Sequence, residues 1–114
     1  MAYDEAFAER VRSIVGRLAS LPVTEQRMFG GLGFLLSGNM AVGVQGRNAG
    51  LLVRVDPDQT ETLLAEPGAA LMAMSGRSMR GWLTVEAAAL AKDTDLRRWI
   101  KRGIDYATTL PAKR

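Results

Sequence analysis

The 114-residue chain contains no cysteine and no histidine. The first absence removes disulfides, thiolate nucleophiles and thiolate metal sites together. The second removes the usual general base near neutral pH and the commonest metal ligand. Lysine is scarce as well, with Lys92, Lys101 and Lys113 alone. Serine and threonine therefore lack an imidazole partner, and Ser75 with Lys92 makes no convincing nucleophile–base pair. There is no unbroken apolar run long enough for a membrane span. The uncharged stretch Met28 to Gly46 is interrupted at Ser37-Gly38-Asn39 and is dense in glycine, which reads as a hairpin. The opening Met1-Ala2-Tyr3-Asp4-Glu5 is acidic and leads into an amphipathic pattern, the wrong design for a secretory signal. A cytoplasmic location, with no membrane partner and no cofactor, is the expectation.

The rest of the composition is that of an ordinary globular protein, 47% hydrophobic and 24% charged, and the length matches one domain spanning residues 1–114. The net charge of +3 permits contact with polyanions without demanding it.

From Asp4 to about Ala19, Phe7, Val11, Ile14, Val15 and Leu18 recur at helical spacing, with Asp4 placed to cap and Pro22 to stop the helix. Short apolar runs follow, Thr24–Phe29, Leu32–Leu36, Met40–Gln45 and Leu51–Val55. They are separated by Gly30-Gly31, Gly38-Asn39 and Asn48-Ala49-Gly50. Connections this short join neighbouring antiparallel strands. Asp56-Pro57-Asp58-Gln59 predicts a short helix running to about Glu66 and ended by Pro67-Gly68. Two further strands, Ala70–Met74 and Gly81–Val85, are expected around the turn-like Ser75-Gly76-Arg77-Ser78. An alanine-rich stretch then suggests a turn of helix, and Asp93 is placed to cap a last helix whose apolar face holds Leu96, Trp99, Ile100, Ile104, Ala107 and Leu110. The expected class is α+β, with residues 24–55 and 69–86 in one sheet.

Among residues that bear chemistry, the glycines at 30, 31, 33, 38, 43, 46 and 50 crowd together as in phosphate-cradling loops. Their spacing fails the dinucleotide fingerprint, because Leu36 stands where the third glycine belongs and the following segment reads as strand. Turns and close backbone packing account for them better. The acids sit mostly in helix caps and first turns, where dipole complementation explains them, and none is embedded in an apolar run. Arg27, Arg54, Arg77 and Arg80 lie in or beside strands. Alternation places Leu52 and Arg54 on the face opposite Leu51, Val53 and Val55. These four arginines form a candidate anion or acidic-partner surface, against the plainer reading of a solvated, charged sheet face. The segment Lys92–Arg114 holds seven basic and three acidic residues. Arg97, Arg98, Lys101 and Arg102 fall opposite Trp99 and Ile100, a candidate nucleic-acid surface. Asp105 lies in the same stripe and no aromatic is interleaved for base stacking, so a solvated outer face is favoured over nucleic acid.

The stretches Met-Ala-Tyr-Asp-Glu, Arg27-Met28-Phe29-Gly30-Gly31-Leu32-Gly33-Phe34, Gly38-Asn39-Met40, Leu52-Val53-Arg54-Val55, Gly76-Arg77-Ser78-Met79-Arg80-Gly81-Trp82 and Trp99 through Leu110-Pro111 come in one order along nearly the whole chain. Together they resemble the N-terminal domain of the TfoX (Sxy) family, bacterial regulators of competence for DNA uptake. The resemblance implies a two-layer α/β arrangement with helices on one face of an antiparallel sheet. It supplies no catalytic residues, and a short stand-alone form is expected, since longer members add a helical module. The function it implies is that of a regulatory domain acting on a protein partner, with homodimer formation as one form of that association, and not an enzyme.

Overall fold

The computed structural model of the chain describes residues 3–28, 30–47, 50–74 and 77–113. The order of elements is α1 (Glu5–Leu18), β1 (Val23–Met28), β2 (Gly31–Leu36), β3 (Asn39–Val44), β4 (Leu51–Arg54), a 3-10 turn (Pro57–Gln59), α2 (Thr60–Leu64), β5 (Ala69–Met74), β6 (Arg77–Val85), a second 3-10 turn (Ala87–Leu90) and α3 (Asp93–Thr108). The strands form one six-stranded sheet in the order β1-β2-β3-β4-β6-β5, antiparallel throughout. The α+β class and the single sheet are as expected. The order is not a simple meander, because β6 takes the place beside β4 and leaves β5 as an outer edge opposite β1.

Two rows of residues across the sheet explain why the helices lie where they do. Leu32, Val44, Leu51, Val85 and Ala69 are successive register partners, and so are Phe34, Val42, Val53, Leu83 and Leu71. Both rows are apolar and point to one face. Against them pack Ala8, Val11, Ile14 and Val15 of α1, with Leu96, Trp99, Ile100, Ile104 and Ala107 of α3. Leu63 and Leu64 of α2 close the same layer. Fully burying a side chain of this size contributes about 1.5–3 kcal/mol, so these rows supply the main driving force for the fold. Helix α3 approaches β3 so closely that a Cβ on Gly103 would lie 2.4 Å from the Ala41 carbonyl oxygen. Glycine is the residue that lets the helix seat there.

The helix and strand ends differ from expectation in instructive ways. Helix α1 is capped by Asp4, whose Oδ1 accepts from the amides of Ala6 (2.9 Å) and Phe7 (3.1 Å). It ends at Leu18 with Ala19 already extended, before Pro22 is reached. The residue before α3 is Lys92, and Asp93 is the first helical residue. The Asp93 carboxylate is instead held by Arg10 of α1 at 2.9 Å, so a tertiary ion pair takes the group that sequence assigned to capping. The expected helix from Asp56 splits into a 3-10 turn and the short α2 ending at Leu64. Strand β6 begins at Arg77, so Arg77 and Ser78 belong to strand and not to the turn; Ser75, Gly76 and Phe29 lie outside the described residues.

Candidate functional site: an uncovered sheet face with a glycine-floored groove

No described helix covers the second face of the sheet. A row of register partners crosses it through all six strands: Gln26, Gly33, Gly43, Leu52, Thr84 and Ala70. Two glycines, a threonine and an alanine make this row low, while the apolar rows facing the helices are filled with large side chains. The result is a groove of about 670 Å³, floored by Gly31, Gly33, Gly43 and Leu52 and walled by Met28, Met40 and Met72. Gln45, Gly46 and Arg47 close one end. Methionine is unbranched and polarizable, so a wall of three such side chains adapts its shape to what it contacts.

The glycines of the floor have different physical reasons to be glycine. At Gly31 a Cβ would lie 2.1 Å from the Val44 carbonyl oxygen, which the ladder cannot accommodate. At Gly33 it would meet the Met40 Cε at 2.8 Å and the Met28 Cε at 3.3 Å, the movable ends of two flexible side chains. At Gly43 the nearest atoms are the Leu32 carbonyl oxygen at 3.5 Å and the Leu52 Cβ at 3.8 Å, ordinary contact distances. Neither Gly33 nor Gly43 has the positive φ that excludes other residues. The fold thus requires glycine at 31 and leaves it optional at 43. In a strand interior, such a glycine marks a bulge, a bend or a close approach of another group to the backbone; the β2–β3 register shifts between Phe34 and Leu35, next to Gly33, whereas Gly43 lies in a regular stretch of ladder.

The four strand arginines do not come together. Arg27 pairs in register with the core-facing Leu32, so it projects from the edge strand β1 toward the helix side. Arg54 lies three strands away on β4, in register with Trp82. Its guanidinium stacks 5.0 Å from the Trp82 ring centre and 5.7 Å from that of Tyr106. Arg80 reaches Glu61 at 3.3 Å. The side chain of Arg77 lies outside the described residues. The residue that brings positive charge to the groove is Arg47, held at a φ of 58° beside Gly46. Sequence reading passed over it, and also over the three methionines. Period-two alternation across Gly31, Gly33, Met40 and the strand ends was the available signal.

On α3, three of the four basic residues are occupied by partners within the chain. Glu66, just past α2, binds Arg102 at 2.5 Å and Arg98 at 3.3 Å. Arg98 also reaches Asp95 at 2.9 Å, and Lys101 binds Asp105 at 2.8 Å. Arg102 lies over the Trp99 ring, 4.5 Å from its centre, instead of on the opposite face. The hydrogen bond from Arg102, followed by its charge and the same pair of effects from Arg98, holds the Glu66 carboxyl below the usual carboxylate range against the opposing cost of burial. Arg97 is exposed beside Thr94, at the groove between α1 and α3. At the sheet's far corner, Arg12 of α1 makes a two-pronged contact with Glu25 of β1 at 2.6 and 2.8 Å, which lowers the Glu25 carboxyl from its ordinary value.

Among the described residues no group of three metal-ligating side chains converges, and no helix is long and apolar enough to cross a membrane. A family model described as the TfoX N-terminal domain matches residues 17–107. No curated protein matches the chain. The matched span runs from the end of α1 through nearly all of α3 and includes the whole sheet. The chain belongs to the TfoX N-terminal domain family.

Proposed function

We propose that this member of the TfoX N-terminal domain family is a regulatory binding module, and that its uncovered sheet face takes an extended apolar segment of a protein partner carrying an acidic residue. The observation that carries this reading is the groove floored by Gly33 and Gly43 and walled by Met28, Met40 and Met72. Its apolar lining suits aliphatic or aromatic side chains, and the glycine floor admits close backbone approach. Charge selects the polar part of the ligand. Arg47 lies at one end, and the register places no described acidic side chain on that face. An acidic partner residue therefore meets the Arg47 cation without an opposing carboxylate. A cytoplasmic regulator of the competence type fits such a module, which acts by occupying a partner and not by turnover.

A protein partner is favoured over nucleic acid because Arg98, Lys101 and Arg102 are already neutralised by Glu66, Asp95 and Asp105. Phosphate binding there must displace these carboxylates. The test begins with peptide selection from a random library on the purified protein. Calorimetry of the selected peptides then follows on wild type, Gly43→Leu and Arg47→Glu. We expect apolar sequences with an aspartate or glutamate, binding weakened tenfold or more by either substitution. Peptides that bind Gly43→Leu and Arg47→Glu as well as wild type would sink the reading.

A further inference from the structure

The two edges of the sheet are unlike. Strand β1, Val-Thr-Glu-Gln-Arg-Met, carries Glu25 and Arg27, the kind of charge that discourages edge-to-edge pairing. Strand β5, Ala-Ala-Leu-Met-Ala-Met, carries no charge and no proline along its six residues. Beyond its ladder with β6, residues 70–73 make no backbone hydrogen bond among the described residues. Leu71 is 36% exposed, at the outer end of the row Phe34, Val42, Val53, Leu83. An uncharged edge with free N–H and C=O groups and an apolar residue at its middle is a template for another strand.

We infer that the occupant is β5 of a second copy, paired antiparallel about a two-fold axis through Leu71. The sequence of the strand is self-complementary in this register. Leu71 opposes Leu71 of the partner subunit, Ala70 opposes the partner's Met72, and Ala69 opposes the partner's Ala73. Each pair keeps side chains on their own faces of a continuous sheet, as antiparallel partners must. A strand with no charge brings no like-charge contact across the axis, where Leu71 meets its own copy. The exposed leucine is covered, and the core row continues from one subunit into the other. Pairing one short strand buries less than the roughly 1,600 Å² of a standard interface, so association at micromolar concentrations is the expected strength. Met72 walls the groove and also sits on β5, so the dimer sets two grooves side by side on one face.

The natural lack of cysteine makes the test clean, since any single cysteine introduced is the only thiol. On the two-fold axis, opposed Cβ atoms of paired strands lie about 4.5–5.5 Å apart, close to disulfide reach. The expected result is a concentration-dependent dimer by sedimentation equilibrium, a covalent dimer on mild oxidation of Leu71→Cys, and little from Gln26→Cys on β1. Leu71→Lys, which places two like charges on the axis, should shift dissociation at least tenfold while circular dichroism stays native. Ala73→Lys provides a second exposed position on the same edge. A wild-type monomer at every concentration, or cross-linking of Gln26→Cys as efficient as that of Leu71→Cys, would overturn the proposal. Peptide binding in the groove is read separately, so either result leaves that question distinct.

Discussion

Gly43→Ala should make the protein more stable and its groove less useful. Glycine in a strand loses more conformational freedom on folding than alanine, a difference of about 0.5–1 kcal/mol. At Gly43 nothing in the folded state opposes the gain, because the added Cβ would sit 3.5 Å from the Leu32 carbonyl oxygen and 3.8 Å from the Leu52 Cβ. For a chain of this length the unfolding entropy is roughly 0.2 kcal/mol per kelvin, so a stabilisation of about 0.7 kcal/mol raises Tm by about 3 °C. Gly31→Ala is the matched opposite. Its Cβ would lie 2.1 Å from the Val44 carbonyl oxygen, so the β2–β3 ladder must open, and a loss of about 2 kcal/mol or more is expected. Calorimetric Tm values for the two variants test the contrast, with peptide affinity measured on Gly43→Ala in parallel. A Gly43→Ala protein destabilised by more than about 1 kcal/mol would refute the reasoning, for then the fold itself would demand that glycine.

Glu66→Gln should lower stability near neutral pH by about 1 kcal/mol, because it breaks the contacts with Arg102 and Arg98 at a site only partly exposed. The folded carboxyl titrates below its unfolded value, so its contribution is complete above the unfolded pKa and disappears as pH falls through the folded one. Urea melts of both proteins from pH 7 to pH 3 should therefore converge at the acid end; a constant gap would show that the charge is not what matters. Duplex DNA binding should be weak at physiological salt and strengthen as salt is lowered, and fluorescence anisotropy at both ionic strengths checks this. Tight binding in physiological salt, lost on Arg97→Ala, would return α3 to the position of a nucleic-acid surface.

Much of the fold was legible because local and long-range preferences agree. Asp4 caps α1, the helical spacing of Leu96, Trp99, Ile100, Ile104 and Ala107 places one face of α3 in the core, and short glycine turns specify the strands β1 to β4. The insertion of β6 beside β4 was not legible. Nothing local distinguishes β5 from β6 as the neighbour, and the choice is made by which strand continues the rows of Leu51 and Val53 with Val85 and Leu83. Asp93 shows the same limit at the level of one residue. Its sequence position suits a cap, and Arg10, 83 residues away, claims it. The site was hidden for a related reason. Arginines stand out in a sequence and drew attention to 27, 54, 77 and 80, yet the sheet separates those whose side chains are described, while the groove is built from residues that look like filler.

A concave surface on a sheet is made by leaving side chains out, and an omission becomes visible only when register brings several onto one row. Gly33 and Gly43 are ten residues apart in sequence and directly opposite in the ladder, with Leu52 next across and Thr84 beyond it. On the other face, the same four strands align Phe34, Val42, Val53 and Leu83 at full size. The helices need that filled face, and only that face, to bury a core. The emptiness of the opposite row lowers stability without serving the fold, and marginal stability of a few kcal/mol makes such a sacrifice consequential. A strand pattern that spends stability in this way is best explained by something that comes to lie in the space.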